Sequence, residues 1–223
     1  MSYMPIRKSV LATNEIYHIY NRSVAKESIF STQIYLRKII EITDYYRFRQ
    51  VLRLSQYKNL AVEPKKSYLK SMRDNPRLVE IYAFAFMPNH YHFLLKQLVD
   101  NGITNFISNF QNSFAKYYNI KNDRNGSLFQ NSFKGKRIES EEQFMHISRY
   151  IHLNPVTSYL IDFEDLKGYP WTSFRIYYHG LDLFVNTGLV LENFKRKESY
   201  NEFVADQVDY QRNLALLKDL VLE

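Results

Sequence analysis

An α+β fold is predicted: an antiparallel sheet, ferredoxin-like or RRM-like in topology, with helices packed mainly on one face. Three observations predict it. Short stretches alternate with the period of two that strands require, and two strand-like runs are separated only by Met87, Pro88 and Asn89. Another stretch, Ile103 to Tyr118, repeats its apolar residues at three- and four-residue steps, the signature of an amphipathic helix. The order of these elements is β-α-β-β-α-β-α, which closes as a sheet with helices laid against it.

The first strand is expected at EIYHIYNR, Glu15 to Arg22, where Ile16, His18 and Tyr20 alternate with Tyr17 and Ile19. From Thr32 to about Leu60, residues Ile34, Ile39, Ile42, Tyr46 and Leu52 fall at helical spacing, giving one long helix or two. Glu63 to Arg77 is basic and bounded by Pro64 and Pro76, so it is read as a surface excursion. LVEIYAFAF makes the second strand and HYHFLLKQ the third. Pro88 and Asn89 between them are turn formers, so the two strands should pair antiparallel.

The polar loop KNDRNGS leads from the Ile103 helix to a fourth strand within Leu128 to Ile138, which carries Lys134, Lys136 and Arg137. Ser140 suits a helix cap, with Glu141 and Glu142 in the first turn, where the helix dipole favours acids. That helix should run to about Asn154. Residues 1–162 then form one domain. Residues 163–223, with the single tryptophan and an expected helix around Leu214 to Val221, are an extension packed on it.

Composition narrows the chemistry. Of 223 residues 45% are hydrophobic and 16% aromatic, which suits a folded domain with a sizeable core. A formal charge of +7 favours a polyanionic partner, and nucleic acid fits better than an acidic small molecule. The absence of cysteine excludes disulfides, thiolate zinc sites and cysteine nucleophiles, so any metal must use His, carboxylate or amide ligands. The start, MSYMPIRKSV, has no long apolar core, and nowhere do about 18 uncharged apolar residues run together. A cytoplasmic protein with no membrane partner is expected.

His90 and His92 interrupt good strand material. Residues two apart in a strand share a face, so both imidazoles point together, with Tyr91 and Phe93 on the other side. Such a pair can chelate one divalent ion, or be two solvent-facing histidines. Neutral nitrogen ligands suit Mn²⁺, Co²⁺, Ni²⁺ or Zn²⁺ and are unusual for Mg²⁺. On the last helix, Tyr150 and Asn154 lie one turn apart on one face. An amide oxygen there can reach a metal and a phenol its substrate; equally, the tyrosine can be packing and Asn154 before Pro155 a helix terminator. His152 points away from Asn154 and takes a packing or surface role, while His18 faces either the site or the core.

Taken together, MPNHYHFLL followed by RYIHLNPV resembles the IS200/IS605-like single-tyrosine transposases, and most closely their REP-associated branch. YHIYNRS, SLFQNSFKGKRI and WTSF at Trp171 to Phe174 are similar to family landmarks in the same order, so the resemblance spans about Glu15 to Tyr177. It implies an HUH-type, metal-dependent nuclease and strand transferase acting on single-stranded or hairpin DNA. His90, His92 and Asn154 would be metal ligands, Tyr150 the nucleophile, and Lys134, Lys136 and Arg137 phosphate contacts. The implied cofactor is Mg²⁺ or Mn²⁺, with no nucleotide cofactor, in a monomer or homodimer. The alternative is a non-catalytic single-stranded or hairpin nucleic-acid-binding protein on the same fold, which would bind DNA without regard to metal or Tyr150.

Overall fold

The structure is a computed structural model that describes residues 10–181 and 183–213. Four strands, β1 (Ile16–Arg22), β2 (Val79–Met87), β3 (His90–Gln97) and β4 (Lys134–Arg137), form one sheet in the order β2-β3-β1-β4, with every neighbouring pair antiparallel. This is the ferredoxin-like order expected from the sequence. β2 and β3 are joined at Pro88 and Asn89, with Met87 paired to His90. The turn is tied down from outside: Phe30 N–H donates to the Pro88 carbonyl and Ser23 N–H to that of Asn89. The first residue of β3, His90, is thereby fixed against the end of β1.

The strands' alternation divides the residues between two faces. Tyr17, Ile19, Tyr91, Phe93 and Leu95 face α1 (Gln33–Tyr46) and α4 (Gly102–Lys121), which pack against each other. The five apolar positions predicted for α4, Ile103, Phe106, Ile107, Phe110 and Phe114, are all fully buried. Phe93 meets Phe110 and Phe106 at ring separations of 5.3 and 5.6 Å, close enough for aromatic pairing beyond simple burial.

The other face departs from the one-sided packing expected. α5 (Glu141–Thr157) crosses it, lying chiefly against β2 and also on β3. Side chains explain the approach: β2 offers the small Ala83 and Ala85 there, Tyr82 meets Phe144 of α5 at a ring separation of 5.2 Å, and β3 adds the buried Leu94. Small residues let the helix come close, and Ile151, Leu153 and Val156 are fully buried in return. Ser140 caps α5 by accepting from Gln143 N–H at 3.1 Å, as its sequence predicts.

Two segments correct the sequence reading. The basic stretch read as a surface excursion is helical, α3 (Val62–Asp74), following the short α2 (Leu54–Lys58). Pro64 sits in its first turn, where a missing N–H breaks no helical bond. α5 also runs through Pro155 to Thr157 instead of stopping at Asn154. A proline inside a helix costs about 3 kcal/mol, and burying Ile151, Leu153 and Val156 at roughly 2 kcal/mol each offsets it.

Residues after 162 are joined to the sheet. Trp171 and Ser173 exchange backbone hydrogen bonds with Phe86 and Phe84 along the free edge of β2, and Val185 bridges Ile81. Two further helices, α6 (Phe174–His179) and α7 (Gly188–Leu191), lead to α8 (Lys197–Ala205), which contacts α5 and α6. The helix expected around Leu214 to Val221 lies outside the described residues. No helix among the described residues is long and apolar enough to cross a membrane.

Candidate active site

The end of the sheet where β1 finishes and β3 begins holds a cleft of about 290 Å³, lined by Tyr20, Asn21, Arg22, His90, His92, Gln130, Lys134 and Tyr150. Register builds it. Arg22 pairs with His90, Tyr20 with His92 and with Lys134, and His18 is flanked by Leu94 and Lys136. His18, Tyr20, Arg22, His90, His92, Lys134 and Lys136 therefore share the face that α5 covers. Tyr150 comes down from α5 with its ring edge-on to His92 at 5.7 Å and to His18 at 6.0 Å. A single chain supplies the phenol and both histidines.

The imidazoles are oriented by neighbours. Asn89 uses its amide nitrogen on the Lys26 carbonyl, so its oxygen is the atom 2.6 Å from His90 Nδ1, which must donate to it. His90 Nε2 is left as a lone pair. His92 Nδ1 lies 2.9 Å from His18 Nε2, with one proton between them. When His92 donates, its Nε2 is also free to ligate. Burial lowers His90 to about 4, with Arg22 acting in the same direction. His92 is pushed well below its usual value by burial and by His18, His90 and Arg22. Both rings are thus neutral at pH 7, the form that binds metals.

Tyr150 is partly buried, and its phenol is raised above the ordinary value, chiefly by burial. The Asn154 amide opposes this, Tyr20 adds to the rise, and Arg22 opposes it. Asn154 itself is 5% exposed and lines none of the cleft; its Nδ2 donates to the Tyr150 carbonyl at 2.8 Å, leaving Oδ1 as its remaining polar atom. The described residues hold no cluster of three or more His, Cys, Asp or Glu arranged for a metal. A metal here would have two imidazole nitrogens and, at the margin, one amide oxygen. That neutral set fits a divalent ion that keeps oxygen ligands from a phosphate.

The expected basic cluster divides. Lys134 lines the cleft, and Lys136 stands on the same face opposite His18. Arg137 is opposite Tyr17, on the other face, and pairs with Glu15 at 2.7 Å. Sequence reasoning missed Arg22 and left His18 unassigned. The alternation of β1 was a usable signal, since it puts His18, Tyr20 and Arg22 on one face. That this face is the histidines' face follows only from the β1–β3 register. His152 is wholly buried, with Nδ1 2.7 Å from Tyr200 Oη and Nε2 2.7 Å from Ser173 Oγ. Its packing role stands.

No curated protein sequence matches this chain. One solved structure, described as a REP-associated tyrosine transposase bound to a REP hairpin, aligns over 87% of this chain and 96% of its own length, at 19% identity and a TM-score of 0.48. Residues 54–154 match the family described as "Transposase IS200 like". That stretch carries His90, His92, Tyr150 and Asn154, and over it the chain is similar to the IS200-like transposases.

Proposed function

We propose that the cleft is the active site of a single-strand DNA endonuclease and strand transferase in which Tyr150 is the nucleophile. One observation carries the reading: the Tyr150 ring lies against His92 and His18 in a cleft whose lining includes Arg22 and Lys134 and no carboxylate. Phosphate is the group such a lining suits, because two cations attract it and nothing beside them repels it.

His90 and His92, with Asn154 Oδ1 as a third donor, would hold a divalent ion, Mg²⁺ or Mn²⁺, and the imidazoles favour Mn²⁺. Such an ion supplies Lewis acidity to a non-bridging phosphate oxygen. His18 orients His92 and fixes its tautomer; Asn89 does so for His90. Arg22 and Lys134 hold the phosphate in line with the phenol, and Lys136 continues the basic track along β4. Tyr150 Oη forms a bond to phosphorus as the P–O3′ bond breaks. The phenol gives up a proton and the departing 3′ oxygen takes one up. The product is a 5′-phosphotyrosine, and attack by another 3′-hydroxyl reverses the step, so no nucleotide cofactor is needed. Arg137, ion-paired on the other face, has no part in this.

The favoured substrate is single-stranded DNA beside a hairpin, in the cytoplasm. Residues 1–162 supply the active site, with the remainder as the extension that braces α5 and β2. A monomer is sufficient, because tyrosine and histidines meet within one chain. Incubation with Mn²⁺ and hairpin-flanked single-stranded DNA should give a covalent adduct that migrates more slowly in denaturing gels. Tyr150→Phe should abolish it, and a Tyr150→Phe protein that still forms the adduct ends the assignment.

A further inference from the structure

A second cavity, of about 420 Å³, opens on the opposite face of the sheet beside the free edge of β2. Its walls include Arg37 from α1, Phe84 from β2, and Trp171, Arg175 and Phe184 from the residues that follow α5. Phe84 and Phe184 are stacked, with ring centres 5.7 Å apart and planes 20° from parallel. Neither arginine forms an ion pair with a described residue, and Arg37 has only the Gln33 side-chain oxygen, at 3.3 Å, as a partner. Arg175 is half-buried in this state. Two unneutralised guanidinium groups beside flat aromatic walls suit a ligand with a planar apolar body and an anionic end. A nucleotide has both, and the volume falls within the range of small-ligand sites.

The cavity is fixed relative to the cleft. Thr172, next to Trp171, bridges Ala85, and Ala85 pairs with His92. Two strand spacings, about 10 Å within the sheet, separate that edge from the histidine strand, and a DNA strand held at the cleft would pass around the edge to reach the other face. Both sites also lie toward the end of the sheet where β1 finishes, because α1 begins there.

We propose that this cavity binds one unpaired nucleotide of the DNA strand held at the cleft, its base against Trp171 and Phe184 and its phosphate on Arg37 and Arg175. The proposal rests on the DNA reading of the cleft and adds a base-contacting subsite to it.

Trp171 is the only tryptophan in the chain, so its emission reports on the cavity directly. The full chain, without metal, is titrated with single-stranded tetranucleotides of each base. The expected result is a saturable change in emission, with Arg37→Ala and Arg175→Ala each weakening binding about tenfold and each reducing the salt slope by about one. No emission change, or a change that both arginine variants retain in full, overturns the proposal. So does a response to an uncharged apolar tripeptide with none to the tetranucleotides, which would make the cavity a peptide site. The adduct assay separates this from the cleft reading. An adduct without a tetranucleotide response removes the cavity proposal alone, and a response without any adduct removes the catalytic reading alone.

Discussion

His18 contacts His92 from the neighbouring strand at 2.9 Å and sits where an outer-shell partner of a metal ligand would sit. Such partners typically govern metal affinity by 10- to 100-fold. His18→Ala is therefore expected to weaken Mn²⁺ binding by roughly that factor, measured by calorimetry or electron paramagnetic resonance without DNA. His18→Gln, which keeps a polar group near His92 Nδ1, should recover part of the loss. Unchanged affinity in His18→Ala would remove the orienting role and leave His18 as packing. Arg22 lines the cleft and has no ion-pair partner among the described residues. Arg22→Ala should weaken single-stranded DNA binding and lower the salt slope by about one, while Arg137→Ala leaves both unchanged because that side chain is held by Glu15 on the other face. A larger loss from Arg137→Ala than from Arg22→Ala would reverse the assignment of faces.

At the scale of elements, α5 is held from both sides, by Ala83 and Ala85 of β2 beneath it and by the His152 cluster above. His152 joins Ser173, next to the β2 edge, to Tyr200 of α8, and Phe84 N–H donates to the same Ser173 oxygen at 2.9 Å. His152→Ala leaves two buried hydroxyls short of a partner and opens a cavity, at a cost of about 3 kcal/mol read as a lower urea midpoint. A loss under about 0.5 kcal/mol, the size of an ordinary surface substitution, would contradict this bracing role. What the sequence disclosed about α5 follows from local physics. Ser140 and the acidic first turn are local signals, and both match the structure. The path through Pro155 was not legible, because contacts from β2 and α8 decide it. For the same reason α3 escaped notice: its mean polarity hid a helix whose only fully buried residue is Met72. The β2–β3 turn was legible, since Pro88-Asn89 and the flanking strand-like runs are adjacent in sequence, whereas the extension of β2 through Met87 and its register shift between Ile81 and Ala83 were not. The Arg22–His90 pairing joins distant segments and was not.

For the whole molecule, the decisive feature is that the sheet and the helix α5 across it carry buried, neutral histidines in a chain of formal charge +7. His152 is lowered to about 3 from 6.5, entirely by burial. His18 is lowered to about 4, by burial and then by Lys136, and His90 to about 4, by burial and then by Arg22. In the unfolded chain each would titrate near 6.5, so between that value and the folded one the unfolded state binds more protons. Stability from these groups is complete above about pH 6.5 and is lost as pH falls toward 4 and then 3, with a slope approaching about 1.4 kcal/mol per pH unit for each histidine. The net positive charge acts in the same direction, because acid raises it further. Urea midpoints should therefore be flat from pH 8 to about 7 and fall steeply by pH 5. Saturating Mn²⁺ should raise the midpoint at pH 7 and lose that effect in acid, since protons compete for the same nitrogens. A midpoint that holds steady from pH 7 to pH 5 without metal would mean that the histidines are charged or solvated in the fold, and the neutral ligand pair on which the cleft's chemistry depends would go with it.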